Sequence, residues 1–172
     1  MTTQYPIWLD YKIWSTPRWK CSIARRSLSM PMKVAVKYGV VEPSSLLLDF
    51  GCGRGKDLEH LQKLDISCVG FDPYWKYDLA LLQPTDCISC IYVINTIESA
   101  IERTEVLQYC WELTRRSLVV AVRTDGKGEG LTRLGTYEKY YSQAEFRSFI
   151  AQSLGVVKVD FPNPGIAFIH KK

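Results

Sequence analysis

Apolar positions along the chain change spacing repeatedly, and the changes predict strands and helices in alternation. Short continuous apolar runs are typical of strands buried on both faces of a sheet. Between the runs, apolar residues recur every three or four positions, as Leu58, Leu61 and Leu64 do, which favours one buried helix face. The runs predict strands at residues 46–50, 67–71, 87–93 and 117–123, and the spacing predicts helices at residues 30–38, 56–64, 100–116 and 143–154.

Capping residues mark where the helices begin. Ser29 stands before a Met-Pro pair and is the predicted N-cap of the first helix. Ser99 with Glu102, and Ser142 with Glu145, have the spacing of a capping box, in which the two residues satisfy each other's backbone N–H groups. Residues 124–135 contain four glycines and are predicted to form a loop.

The order of the elements indicates an α/β fold with a mostly parallel sheet, because strands alternate with helices as in βαβ units. The last two apolar segments, residues 156–161 and 166–170, are separated by Pro-Asn-Pro-Gly and predict a C-terminal antiparallel hairpin. In open α/β sheets the ligand binds beyond the carboxyl ends of the strands. Four predicted strand ends should therefore frame one cleft, at Gly51, Asp72, Asn95 and Arg123.

The most informative segment is the turn after the first strand, which reads DFGCGRG at residues 49–55. Its glycines allow a sharp turn and the close approach of a ligand. The spacing Gly51, Gly53, Gly55, with Cys52 inside the loop, is one residue shorter than the G-x-G-x-x-G of dinucleotide sites. This difference disfavours a nicotinamide-dependent oxidoreductase. About twenty residues on, Asp72 ends the second strand, where a carboxylate can accept hydrogen bonds from ribose hydroxyls or simply begin a turn.

The glycine loop and Asp72 resemble the class I methyltransferases, which share a Rossmann-like fold. The resemblance implies S-adenosylmethionine as cofactor, bound by Asp49, Gly51, Cys52, Gly53, Gly55 and Asp72. Asp49 could orient the ammonium group of its methionine part. The chain departs from the family after Asp72, since no third strand can be placed before Asp86. The sheet could lack that strand, and the residue that contacts the adenine is then not identified by the sequence.

Further segments resemble one subgroup, the methyltransferases associated with DNA phosphorothioation systems. They cover about residues 25–150 and include RSLSMP, GFDP, YVINTIE, LVVAVR and GTYEKYY beside the glycine loop. The resemblance implies a methyltransferase without specifying its substrate. The chain lacks both the Asn-Pro-Pro-Tyr type of box and the Pro-Cys pair at residues 92–98, which disfavours the familiar adenine, cytosine-amino and cytosine-C5 chemistries.

Residues near the predicted cleft supply candidates for methyl transfer. Asn95 could contact the cofactor or the substrate, and Glu98 could be a base or a glutamate that favours the start of the next helix. Tyr137 is a third catalytic candidate. The candidates for substrate binding form a basic and aromatic wall, which could equally pack a loop against the sheet: Arg123, Lys139 and Tyr140.

Charge separates the first 40 residues from the rest of the chain. The length of 172 residues predicts a single domain, and the net charge is +4. The domain is divided into an arm and helix (residues 1–40) and a core (residues 41–172). The arm carries seven Lys and Arg residues against Asp10 alone, and four tryptophans and tyrosines precede Trp19. Such an arm could bind nucleic acid or could be a lid over the cleft.

The cysteines and the hydropathy of the chain indicate the cellular compartment in which the protein is expected. Six cysteines lie in or beside apolar runs, which predicts reduced core thiols. Cys87 and Cys90 fall in a predicted strand, where residues three apart point to opposite faces, so no metal site is expected. No apolar run reaches the roughly 18 residues of a membrane span, and no signal peptide is recognisable. The protein is expected to be cytoplasmic and not to associate with membranes.

The leading hypothesis is therefore an enzyme that transfers a methyl group from S-adenosylmethionine to an oxygen or nitrogen nucleophile on a nucleic acid or a small molecule. The second hypothesis is a non-catalytic module that binds the cofactor and regulates a nucleic-acid modification or defence complex. The oligomeric state is left open by the sequence.

Overall fold

The computed structural model describes residues 5–171, so residues 1–4 of the predicted arm and Lys172 lie outside the described residues. A six-stranded sheet in the order β2-β1-β3-β4-β8-β7 forms the centre of the chain. Its strands are β1 (Leu47–Phe50), β2 (Cys68–Phe71), β3 (Thr85–Ile91), β4 (Thr114–Ala121), β7 (Lys158–Asn163) and β8 (Ile166–His170). The helices are α1 (Met30–Lys37), α2 (Lys56–Gln62), α3 (Ala100–Leu113) and α4 (Gln143–Leu154).

The sheet is mixed in the way that the sequence predicts. Strand β1 pairs in parallel with both β2 and β3, and β3 pairs in parallel with β4. The C-terminal hairpin is confirmed, because β8 is antiparallel to β4 and to β7. Within the register, Leu48 lies between Val69 and Ile88. The carboxyl ends of β1, β2 and β3 consequently meet at one edge of the sheet.

Helices and the arm cover the two faces of the sheet and give it two separate apolar cores. One core contains Cys90 together with Phe50 and residues of α3 and α4. The other contains Cys87 together with Met32 and residues of α1 and α2. The prediction that these two cysteines point to opposite faces is confirmed, and both are buried free thiols.

The sheet ends at β2, which bears out the expected loss of a strand beyond it. Within residues 5–171, the segment that follows Asp72 forms a tight turn to Lys76 and one 3-10 turn, Leu79–Leu81, before β3 begins. Asp72 and Lys76 exchange backbone hydrogen bonds of 3.0 and 3.2 Å, which close the turn. At this edge of the sheet, the cleft is therefore bordered by a turn that follows β2.

The predicted caps are present, with one difference. Ser29 caps α1 and also donates to the buried carboxylate of Asp57 at 2.5 Å, which ties α1 to α2. Ser142 and Glu145 form a complete capping box on α4. At α3 only half of the box forms: Ser99 accepts from the Glu102 N–H, but the Glu102 carboxylate bonds to Arg18.

Two predictions differ from the structure by more than two residues. Helix α3 ends at Leu113 and β4 begins at the next residue, where the Thr114 hydroxyl bonds back to the Cys110 carbonyl at 2.7 Å. The predicted loop over residues 124–135 contains a strand, β5 (Glu129–Leu131), which pairs with β6 (Tyr137–Lys139) in a separate two-stranded sheet. These strands have only three residues each and lack an apolar face, so hydrophobic periodicity could not reveal them.

No helix among residues 5–171 combines the length and the apolar character that a transmembrane crossing requires.

Candidate functional site

A cleft opens at the carboxyl ends of β1, β2 and β3, with about 1020 Å³ of space that is continuous with solvent. Its walls include the glycine loop, Asp72 and the residues that follow β3. Asp49, Gly51, Cys52, Gly53 and Asp72 all line it, so the structure brings these predicted cofactor residues together. The predicted fourth strand end does not line the cleft, because the Arg123 side chain turns to Asp125.

The glycine loop requires its glycines for backbone conformation and for space. Gly51, Gly53 and Gly55 have φ angles of 73°, 53° and 76°, values that disfavour other residues. A Cβ on Gly53 would lie 2.3 Å from the Ser22 hydroxyl, and one on Gly51 would lie 2.4 Å from a Val93 methyl group. The loop thus passes so close to its neighbours that a side chain at Gly51 or Gly53 would collide with them.

Hydrogen bonds fix the loop against the second strand. The N–H groups of Gly51 and Cys52 both donate to the Phe71 carbonyl, at 2.8 and 3.1 Å. The Gly53 N–H donates to the Asp72 carboxylate at 2.9 Å. The loop conformation is therefore set before any ligand binds, which is what a close-fitting site needs.

Asp72 has the turn role that the sequence offered for it, and it lines the cleft as well. One carboxylate oxygen accepts from Gly53, and the other accepts from the N–H groups of Tyr74 and Trp75 at 2.9 and 2.8 Å. It is thus a turn aspartate, and it also faces the cleft. Each carboxylate oxygen can accept more than one hydrogen bond, so the group retains capacity for ribose hydroxyls.

Asp49 is a buried carboxylate on the floor of the cleft. It accepts a hydrogen bond of 2.7 Å from the Ser89 hydroxyl on the neighbouring strand β3. Burial, together with the nearby carboxylates of Asp57 and Asp72, raises the pKa of Asp49 to about 7, against the lowering effects of Ser89 and Arg25. A buried carboxylate of this kind favours a cationic partner, such as the ammonium group of an amino acid.

The N-terminal arm, residues 5–29, closes over this cleft. Ser22 reaches the glycine loop, where its hydroxyl accepts from the Arg54 N–H at 3.1 Å. Trp14, Trp19 and Arg25 of the arm line the cleft, and Trp8 enters the main apolar core. The arm is thus arranged as a lid, one of the two interpretations that the sequence offers for it.

An ion-pair cluster fastens the arm to the far side of the cleft. The Arg18 guanidinium donates to Glu98 at 2.6 and 3.0 Å and also pairs with Glu102. Burial alone would raise the pKa of Glu98, but the hydrogen bonds that its carboxylate accepts, including those from Ser15 and Arg18, lower it. A carboxylate held this way is a poor proton acceptor, so the structure favours an anchoring role for the predicted base candidate Glu98.

Asn95 lies beside the cleft rather than in its wall. It belongs to a buried 3-10 turn, Ile94–Thr96, and its side-chain N–H donates to Glu138 on β6 at 2.7 Å. Its carbonyl oxygen is buried and has no protein partner. Burial raises the pKa of Glu138, although the hydrogen bond from Asn95 opposes the shift. The predicted contact of Asn95 with the cofactor would need the cleft to extend toward this pair.

The remaining candidates lie on and beside the β5–β6 hairpin, away from the cleft walls. The Tyr137 hydroxyl donates to Glu129 at 2.6 Å and accepts from Arg103 at 2.8 Å, while burial and Glu129 raise its pKa to about 12. Lys139 pairs with the same Glu129 at 3.2 Å. The Arg123 guanidinium stacks over the Tyr140 ring at 5.4 Å. The structure therefore joins Tyr137, Lys139 and Arg123 to internal partners and does not place them in the cleft that holds the glycine loop.

Sequence reasoning did not select Tyr92 and Trp75, although both line the cleft. Tyr92 follows β3 with a φ of 59°, an unusual conformation for a non-glycine residue. Its position at the end of a parallel strand, where ligands bind in open α/β sheets, is the sequence signal that could have identified it as a site residue. Trp75 comes three residues after Asp72, in a segment that showed no periodicity.

Comparisons with known proteins agree with this geometry. Residues 34–108 match a family described as "Methyltransferase domain". A 1,6-didemethyltoxoflavin-N1-methyltransferase from Burkholderia thailandensis, crystallised with S-adenosylhomocysteine, is similar over 83% of this chain and 76% of its own, with a TM-score of 0.60 and 12% identity. A SAM-bound amino pentose methyltransferase from Micromonospora echinaspora is similar over 83% and 90%, with a TM-score of 0.51 and 13% identity.

A third similar structure belongs to the Pnkp1/Rnl/Hen1 RNA repair complex, with a TM-score of 0.56 and 14% identity over 82% of this chain and 40% of that one. No curated protein sequence matches the chain. Residues 34–108 thus match a methyltransferase domain, and the fold is that of the class I methyltransferases, whose cofactor is S-adenosylmethionine. The predicted fold, enzyme class and cofactor are thereby confirmed.

Proposed function

We propose that the protein transfers the methyl group of S-adenosylmethionine to an oxygen or nitrogen nucleophile of a small molecule that enters the cleft beside Tyr92. The observation that carries this proposal is the convergence of Asp49, the glycine loop and Asp72 on one cleft. The bound cofactor would supply a methyl group that its sulfonium makes reactive. The protein would bind and orient it: Asp49 faces the ammonium end and Asp72 the ribose, while the arm excludes water.

A small acceptor is favoured by the way the arm covers the cleft. Trp14 and Trp19 form part of the wall, which makes the covered side of the cleft aromatic. Arg18, one of the basic residues of the arm, is consumed by Glu98 and Glu102 and is not available to a phosphate. Two of the similar structures are methyltransferases of small molecules, a toxoflavin precursor and an amino pentose.

A nucleic-acid acceptor is the second candidate, and a specific observation favours it. Five basic side chains of the arm and α1 are exposed: Lys12, Lys20, Arg26, Lys33 and Lys37. Exposed cations of this kind suit a phosphate backbone. The resemblance to methyltransferases associated with DNA phosphorothioation systems points the same way, and so does the similar chain in an RNA repair complex.

A non-catalytic cofactor-binding module remains the alternative of a different class. It is supported by the engagement of Glu98 in an ion pair, which leaves no free carboxylate at the position predicted for a base. A methyltransferase whose acceptor is already nucleophilic needs no such base, so turnover decides between the two.

The first experiment is a calorimetric titration of S-adenosylhomocysteine into the wild type and an Asp72→Asn variant. The control is Asp65→Asn, an exposed aspartate at the end of α2. We expect the Asp72 variant to bind at least about tenfold more weakly, since a charge-assisted hydrogen bond is worth roughly 1.5–3 kcal/mol. No binding to a folded wild type would contradict the proposal.

The second experiment measures S-adenosylhomocysteine formation with panels of hydroxylated and aminated small molecules and with RNA and DNA oligomers. Turnover with a small molecule supports the proposal. Turnover with oligomers alone, lost when Lys12, Lys20 and Arg26 are changed to Gln, supports the nucleic-acid candidate. Binding without turnover in every panel supports the non-catalytic module.

A further inference from the structure

The wall of the cleft contains four basic side chains: Arg18, Arg25, Arg54 and Lys56. Two of them have an acidic partner within the fold. Arg18 pairs with Glu98 and Glu102, which also lines the cleft. Lys56 pairs with Glu59 at 2.9 Å. The charges of these two side chains are therefore balanced before any ligand enters.

The other two cations lie at different ends of the cleft. The Arg54 guanidinium lies over the Trp75 ring at 4.2 Å, in the turn that follows Asp72. It therefore belongs to the end where the ribose is expected. The half-buried Arg25 guanidinium lies over the Tyr92 ring at 5.8 Å, directly after β3. Among residues 5–171, no carboxylate forms an ion pair with Arg25.

The order of the strands places Tyr92 on the acceptor side of the cleft. Strand β1 lies between β2 and β3 in the sheet. Asp72 follows β2 and Asp49 belongs to β1, so a cofactor with its ribose at Asp72 and its ammonium group at Asp49 occupies these two strand ends. The end of β3, where Tyr92 and Arg25 meet, is then left for the molecule that receives the methyl group.

The remaining carboxylates of the cleft wall have other partners. Asp57 accepts from the N–H and the hydroxyl of Ser29, at 2.7 and 2.5 Å. Asp72 accepts from three backbone N–H groups. Burial raises the pKa of Asp49, and Arg25 is one of the groups that oppose the rise. Once an ammonium group neutralises Asp49, the charge of Arg25 is left without a counterion at this end of the cleft.

The chemistry of a guanidinium over an aromatic ring indicates what Arg25 can bind. Its face is used against the ring, so the N–H donors at its edge stay available in the fork geometry that matches a carboxylate. One unpaired positive charge balances a carboxylate, whereas a phosphate dianion would keep one charge unmatched. Tyr92 has a φ of 59°, and its N–H donates to the Ala121 carbonyl at 2.9 Å. Conformations of this kind cluster at ligand sites.

We propose that Arg25, supported on the Tyr92 ring, binds a carboxylate of the methyl acceptor. The substrate of the cleft is then a small organic acid that carries a hydroxyl or amino nucleophile. This inference rests on the proposed function, because it assumes that S-adenosylmethionine occupies the ends of β1 and β2. It gives the arm a part in selecting the substrate in addition to covering the cleft.

The first measurement asks whether Arg25 serves the carboxylate of the cofactor instead. Calorimetry compares S-adenosylhomocysteine with its decarboxylated analogue, which keeps the ammonium group. The proteins are the wild type, Arg25→Gln and the control Arg115→Gln, whose arginine is exposed at the opposite, amino end of β4. We expect each ligand to bind the three proteins within about threefold. A loss of about tenfold or more for S-adenosylhomocysteine in Arg25→Gln would overturn the proposal, and an intact affinity for the analogue would then assign Arg25 to the cofactor.

The second measurement tests the acceptor in proteins saturated with S-adenosylhomocysteine. The probes are four acids, each titrated beside its own amide: salicylate, anthranilate, caffeate and mandelate. We expect at least one acid to bind the wild type about tenfold or more tightly than its amide, the lower range for a hydrogen bond to a charged group. This preference should vanish in Arg25→Gln and persist in Arg115→Gln.

Two results would overturn the proposal in that titration. They are equal binding of acid and amide in every pair, and a preference for the acid that Arg25→Gln retains. Either result leaves the proposed function standing, because binding of S-adenosylhomocysteine is measured separately. Failure of the folded wild type to bind S-adenosylhomocysteine would instead remove the proposed function itself.

A pair of variants tests the support by Tyr92. Tyr92→Phe keeps the ring, and Tyr92→Leu removes it while keeping an apolar side chain. We expect the phenylalanine variant to keep the preference for the acid within about twofold, and the leucine variant to reduce it at least about threefold, since the guanidinium loses its cation–π contact. Circular dichroism checks that both are folded. An equal preference in the two variants would overturn the role of the Tyr92 ring.

Discussion

Arg18 and Glu98 are 80 residues apart in the chain, yet the guanidinium of the first lies 2.6 Å from the carboxylate of the second. The Arg18 side chain is only 9% exposed, so the pair is largely screened from water. Because Glu98 follows β3 and Arg18 belongs to the arm, this contact spans the cleft. It converts a chain segment with little regular structure into a fixed cover.

Removal of the guanidinium should therefore release the arm. We expect Arg18→Met to speed amide hydrogen exchange across residues 6–25 by roughly tenfold or more, since it leaves two partly buried carboxylates without a cationic partner. S-adenosylhomocysteine should bind more weakly for the same reason. Lys12→Met is the control, because Lys12 is an exposed cation of the same arm. Equal exchange rates in the two variants would mean that the arm is held by its aromatic contacts alone.

The Glu98→Gln variant distinguishes a role of Glu98 in anchoring the arm from a role as general base. The amide keeps the shape and can still accept a hydrogen bond from Arg18, but it loses the charge. We expect faster exchange in the arm and weaker cofactor binding, with an unchanged pH profile of turnover once the cofactor is saturating. A turnover rate that falls at least about a hundredfold at saturating cofactor would identify Glu98 as the general base instead.

Binding of the cofactor should depend on pH through Asp49. The pKa of Asp49 is raised to about 7, so the group is neutral below that pH and charged above it. The ammonium of the ligand stays positive over the same range. We expect the affinity for S-adenosylhomocysteine to rise from pH 6 to pH 8, and a titration in Asp49→Asn to lack this rise. The contrary result is an affinity that does not change with pH in the wild type.

Asp49 should also lower the stability of the ligand-free protein. Its folded pKa lies above the ordinary value of 3.8, so the folded state binds its proton more tightly than the unfolded state. Stability is then highest below pH 3.8 for this group and declines as the pH rises toward 7. We expect Asp49→Asn at pH 8 to unfold at a higher temperature, by about 2–4 °C for each kcal/mol gained. A lower unfolding temperature would show that Asp49 stabilises the fold.

The glycine loop offers a test of close approach. We expect Gly53→Ala to bind S-adenosylhomocysteine at least about tenfold more weakly, because it combines a strained φ with a collision with the Ser22 hydroxyl. Gly128→Ala has a similar φ of 72° but no atom within 4 Å of the new Cβ, so it should leave binding intact. Ser22→Gly in the Gly53→Ala background should recover part of the affinity. Equal effects of the two alanines would reduce the result to backbone strain.

Much of the fold was predictable because its signals are local. The buried strand runs, the glycine loop and the Ser142–Glu145 box are each contained within a few residues, and all appear in the structure. The gap after Asp72 was visible as an absence of pattern. Positions at strand ends followed from the parallel topology, which places Asp49 and Asp72 at one cleft.

The rest depends on contacts that no local pattern encodes. The Glu102 side chain suits a capping box by its spacing, but Arg18 of the arm offers a cation and takes it. Tyr137 was predicted as a catalytic residue and Lys139 as part of a substrate wall, yet both turn to Glu129 within the hairpin. In each case a partner distant in the sequence, or a strand too short to detect, decides where the side chain points.

The position of the arm over the cleft has a consequence for the turnover rate. Release of a cofactor that requires the arm to open would separate Ser22 from the glycine loop and Arg18 from its carboxylates. Such a release is a conformational step with its own rate. The rate of that step would set an upper limit on how often the protein can act.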